Sequence, residues 1–88
     1  MTYQPKPIDT SGVTLSVEIL RLTERLAQNA HEVWAQERLR LGWTYGAQRD
    51  DTRRQHPCLI PYDQLADSEK QFDRNTAMET LKAIVALE

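Results

Sequence analysis

SVEILRLTERLAQNAHEVWAQERLRLG, residues 16–42, decides the fold. Ile19, Leu22, Leu26, Ala30 and Val33 recur at spacings of three and four, the period of an amphipathic helix, and form one apolar stripe. Ser16 is placed to cap the first turn, Glu18 suits the positive end of the helix dipole, and Gly42 supplies a left-handed stop after Leu41. The spacing therefore predicts one long helix from about Ser16 to Leu41, roughly 37 Å at 1.5 Å per residue. A second apolar line, Leu20, Ala27, Trp34 and Leu41, repeats every seven positions on a neighbouring face. The helix is thus apolar on two sides, and the second line is the one a small partner helix leaves uncovered.

Upstream, residues 1–15 contain Pro5, Pro7, Gly12 and the turn-forming Asp9-Thr10-Ser11, which predicts an extended N-terminal arm. Residues 16–88 then form a single domain. Downstream, Asp63 is placed to cap a short turn to Ala66, and Asp67-Ser68-Glu69-Lys70 opens a helical stretch to about Arg74. A last helix is expected after Thr76-x-x-Glu79, which has the spacing of a capping box, with Met78, Leu81, Ile84, Val85 and Leu87 facing inward. The fold class is mainly α: a small helical domain with a long N-terminal helix, C-terminal helices and short extended segments.

Composition narrows the function. The 88 residues are 40% hydrophobic and 27% charged, the balance of an ordinary globular domain. A net charge of −2 lacks the basic excess that duplex DNA or RNA demands, so a nucleic acid polymer is not an expected partner. Apolar runs fall far short of the roughly 18 residues of a spanning helix, so membrane insertion is not expected either. The start shows no apolar stretch of a signal peptide, and Cys58 is the single cysteine, which suits a reducing, cytoplasmic setting.

The segment GWTYGAQRDDTRRQHPCLIPY, residues 42–62, is too polar for a core and too aromatic for a plain loop. His56 and Cys58 lie two apart and share a side if the chain is extended, but only His31 and scattered carboxylates remain to complete a tetrahedral site, so no metal is expected. Nothing marks an oxyanion pocket or helix N-terminus beside Cys58, and Asp50 and Asp51 sit among Arg49, Arg53 and Arg54 as a salt-bridged loop would. No catalytic residue is expected. Trp43, directly after the glycine stop, is expected to pack back on the last helical turn, while Trp34, on the second apolar line and near arginines, suits stacking on a flat anionic ligand.

HEVWAQERLRLGWTYGAQRDDTRRQHPCLIPYDQL, followed by EKQFDRN and METLKAIVAL, resembles the RyR domain, the module repeated in tandem pairs in ryanodine receptor calcium channels and found singly or fused in prokaryotic proteins. The upstream PIDTSGVTL and LTERLAQNAHEVW extend the likeness over nearly the whole chain, which has the form of a prokaryotic single-repeat member. The resemblance implies a small, mostly helical, non-enzymatic fold without cofactors. Paired channel repeats bind adenine nucleotides between them, and prokaryotic members are linked to sensing nucleotide-derived signals. By that resemblance Trp34 would stack a base, Arg49 would lie near phosphates and Asp73 would make a polar contact. With Trp43 and Tyr45 anchoring the loop and Arg74 beside Asp73, the expected ligand-binding set is Trp34, Arg49, Asp73, Trp43, Tyr45 and Arg74. The function expected is a sensing module for a nucleotide or its derivative, acting as a homodimer because one repeat supplies half of a paired site. The alternative is a protein-interaction or assembly module without a small-molecule ligand.

Overall fold

The Ser16 hydroxyl accepts the Ile19 N–H at 3.3 Å and starts helix α1, Val17–Arg21. The computed structural model, which describes residues 2–88, then departs from the single long helix expected. At Leu22 the N–H turns to the Ile19 carbonyl three residues back, and the four-residue ladder resumes only with Leu26 N–H on the Leu22 carbonyl at 2.9 Å. Helix α2, Thr23–Arg40, follows. The break lies where packing begins: α1 buries none of its five residues fully, whereas Thr23 is buried, so little packing holds α1 to a continuous ladder.

The stop at Gly42 is where its glycine places it. Gly42 has φ of +87°, its N–H meets the Leu39 carbonyl, and Trp43 N–H reaches back to Arg38, the two bonds of a Schellman motif. Arg54 Nη1 donates to the Leu41 carbonyl at 2.8 Å and fixes the loop to the helix end.

Two short strands follow, β1 (Thr44–Tyr45) and β2 (Gln55–His56), parallel, with Thr44 beside Gln55 and Tyr45 beside His56. The segment between them reverses through paired 2.9 Å bonds between Asp50 and Gln55. Gly46 lies against Gln55 so closely that a Cβ there would stand 2.6 Å from the Gln55 Cβ, so only glycine admits this pairing.

A 3-10 turn, Tyr62–Gln64, leads to helix α3, Asp67–Ala86, which is one uninterrupted helix rather than two. Neither Asp63 nor Thr76 acts as a cap. The residues around Thr76, among them Arg74, Ala77 and Met78, are good helix formers, and a capping-box spacing breaks nothing in such surroundings. Glu79, the expected partner of Thr76, instead accepts the Thr10 hydroxyl at 2.8 Å, which fastens the N-terminal arm to α3.

Contacts between α2 and α3 run in opposite order: Glu24 reaches Arg74, and further along α2 the His31 and Trp34 side chains share a cleft with Asp73 and Glu69. The face of α2 turned inward carries Thr23, Ala27 and His31, with Trp34 and Arg38 half-buried. This corrects the expected stripe. Leu22, Leu26 and Val33 are exposed, while Ala27 of the second line is fully buried. Ala27 is small enough to admit Tyr62 and Leu65, and these three form the core, with Cys58 and Ile60 against it. Ile84, Val85 and Leu87 are exposed as well, at the C-terminal end of α3 beyond Glu79, where the arm is fastened.

Candidate functional site

One face of the α2 and α3 pair opens into a cleft of about 250 Å³, with Leu65 at its base. Helix α2 supplies Trp34, because the inward face that begins at Thr23 returns there after three turns. Its indole is half-buried, stacked at 5.6 Å on His31 and met edge-on at 4.9 Å by His56 from β2. His31 is structural: it is buried and its Nε2–H donates to the Ile60 carbonyl at 2.7 Å, holding the 58–62 segment to α2. Helix α3 supplies the opposite wall, with Phe72 and the carboxylates Glu69 and Asp73.

One turn past Trp34, the Arg38 guanidinium lies 5.6 Å from the Trp34 ring and 4.6 Å from the Trp43 ring. Arg38 is half-buried and takes part in no ion pair among the described residues, so its charge is held by two indole faces alone. The cleft is therefore aromatic in the middle and acidic on α3, with the Arg38 cation one turn along α2 from Trp34 and outside the lining itself.

The titratable groups respond accordingly. Burial pushes the Asp73 carboxyl up, Glu69 adds to the rise and His31 opposes it. Burial also pushes the Cys58 thiol up, assisted by Glu69 and Asp73, so it stays protonated and a poor nucleophile. His56 moves the other way: partial burial, then Arg49 and Arg38, hold its imidazole neutral. Among the described residues no three His, Cys, Asp or Glu side chains converge to hold a metal ion.

Of the six residues expected to bind ligand, the structure brings Trp34 and Asp73 together in the cleft. Trp43 is half-buried beneath Arg38 and 6.3 Å from His56, supporting the wall from behind. Tyr45 is exposed on β1 and is not part of the lining. Arg49 is exposed on the loop beside Asp51, at 2.9 Å, yet close enough to His56 to lower its pKa. Arg74 is turned to Glu24, which it binds at 2.6 and 3.2 Å while the Tyr62 hydroxyl donates to the same carboxylate. That pairing drives the Glu24 carboxyl below its ordinary range and ties α3, the 3-10 turn and α2 into one unit.

Sequence reasoning missed Arg38, His56, Glu69 and Phe72. Arg38 carried a readable signal, its spacing of four from Trp34 on one helix face. His56 did not, because its place depends on the register of β2 against β1. The model of one family, the RyR domain, matches residues 3–88 of the chain.

Proposed function

The chain belongs to the RyR domain family, and from that premise we propose that it is a non-enzymatic module that binds a nucleotide or nucleotide-derived small molecule in the cleft beside Trp34. The observation that carries this reading is an aromatic slot that faces a pair of carboxylates, with an uncompensated arginine set against the ring of Trp34 one turn along α2. A base fits the slot by stacking on Trp34, Asp73 accepts from its amino edge, and Arg38, with Arg49 further out, meets the phosphate. The chemistry on the walls favours binding over catalysis, since burial holds the Cys58 thiol protonated and His56 Nδ1, the candidate base nearest in sequence, is occupied by the Cys58 backbone N–H. A reducing, cytoplasmic setting suits that free thiol.

At about 250 Å³ the cleft lies below the roughly 300–1,000 Å³ of a complete small-molecule site, which supports a second chain or further surface completing it. Calorimetric titration of AMP, ATP and adenosine provides the test. Trp34→Ala is expected to weaken binding at least about 5-fold while helicity is kept, because base stacking on an aromatic contributes about 1–3 kcal/mol. Failure of all three compounds to bind the parent chain, or equal binding by the variant, would sink this reading.

A second reading, an interaction or assembly module, rests on a separate observation: Leu22, Leu26 and Val33 form an exposed apolar line on α2. That line lies about a quarter turn round the helix from Trp34. Under this reading two copies associate through the α2 line, and the cleft remains beside the junction rather than inside it.

A further inference from the structure

We infer that His56 is a positioning and specificity residue of the cleft: a neutral imidazole in a fixed tautomer, presenting its Nε2–H as a hydrogen-bond donor to an acceptor atom of the bound ligand. The inference rests on the nucleotide reading and adds to it a group that discriminates by hydrogen bonding.

The tautomer follows from the backbone. Two residues beyond His56, the Cys58 N–H points back and donates to His56 Nδ1 at 3.0 Å. A ring nitrogen that accepts from an amide carries no proton, so in the neutral ring the proton sits on Nε2. Pro57 between the two residues stiffens this turn through its fixed φ. The ring itself is clamped from the side, edge-on to Trp34 at 4.9 Å and tilted against Trp43 at 6.3 Å. Nε2 has no hydrogen-bond partner among the described residues, although His56 lines the cleft.

Neutrality follows from what faces the ring. Arg38 on α2 and Arg49 on the loop oppose a third positive charge, and partial burial adds to them. Asp51 and Glu69 favour protonation, but they rank behind the burial and the two arginines. Protonation would also replace the Nδ1 acceptor with a second donor facing the Cys58 amide. A ligand that brings a phosphate oxygen or ring acceptor to this point is recognised, and one that presents a donor there is left with two facing hydrogens.

The test uses two side chains that divide the imidazole between them. Gln places an amide nitrogen near the position of Nε2, and Asn places an oxygen near Nδ1. Both lose the ring, so the difference between them isolates the donor. With AMP and ATP as probes at about pH 8, His56→Asn should weaken binding about 3- to 10-fold relative to His56→Gln, the effect of one neutral hydrogen bond. Long-range ¹H–¹⁵N correlation spectra of the ligand-free parent chain should show the Nε2–H form. Equal affinities for the two variants, or a ring protonated on Nδ1, would overturn the donor role alone. Absence of AMP and ATP binding by the parent chain would overturn the nucleotide reading and the donor role together.

Discussion

Gly46 illustrates how single residues set the site. Its missing Cβ is what lets β1 lie against β2, and β2 ends in His56. Gly46→Ala is expected to cost about 1–3 kcal/mol, read from thermal or denaturant melting, because the added carbon meets the Gln55 Cβ rather than a flexible side-chain end. Gly42→Val should cost at least about 1 kcal/mol in the same assay, since a β-branched residue is poorly suited to φ of +87°. The titration of His56 has a definite sign. Its folded pKa lies below its ordinary value, so its contribution to stability is present above the unfolded pKa and is lost as pH falls through the folded one. Stability should therefore decline as pH falls below the ordinary histidine value of about 6.5, and His56→Gln should flatten that decline. At this scale the sequence was readable where a residue type has one main use. Glycine at a helix stop and tryptophan on a helix face announced themselves, and likeness to a family pointed to Asp73. Arg38 was readable by its spacing from Trp34 and was passed over, whereas Phe72 did not stand out, because a phenylalanine on a helix is ordinary until the opposite wall is known.

Between elements, the decisive contacts are polar and distant in sequence. The Tyr62 hydroxyl and the Arg74 guanidinium converge on Glu24, joining three elements at one carboxylate. Tyr62→Phe keeps the buried ring and removes the hydroxyl, and is expected to cost about 1 kcal/mol in denaturant melts. Thr76 separates two accounts of α3. As an exposed residue in mid-helix it should tolerate Ala with a small gain of roughly 0.5 kcal/mol, whereas a true cap would lose about 0.5–2 kcal/mol. A loss on melting Thr76→Ala would restore the two-helix account. The helices themselves were legible from period and punctuation. Their junctions were not, since the break at Leu22 depends on where packing begins, and the continuity of α3 depends on a capping pattern being ignored.

Taken whole, the molecule is thinly filled. Its radius of gyration is 15.6 Å against about 12 Å for a compact chain of this length, and Leu15, Ala27, Tyr62 and Leu65 are the only buried hydrophobic residues among those described. The sequence showed two apolar faces on the long helix, and the expectation that the second would be the uncovered one fails at Ala27, which fits against Tyr62 and Leu65 and is buried while Leu22, Leu26 and Val33 stay exposed. With the Leu22, Leu26 and Val33 line uncovered, self-association is the expected outcome. The melting temperature should then rise with protein concentration, and Leu26→Glu should give a smaller sedimenting species with its circular dichroism retained. A concentration-independent melt and unchanged sedimentation would count against it. The bond from Thr10 to Glu79 bears on resistance to cleavage as much as on stability. It ties positions 69 apart in sequence, so the extended arm is held against the last helix instead of being presented as a free strand. A protease that would cut a loose arm therefore meets at Thr10 a segment already clamped to the body of the fold.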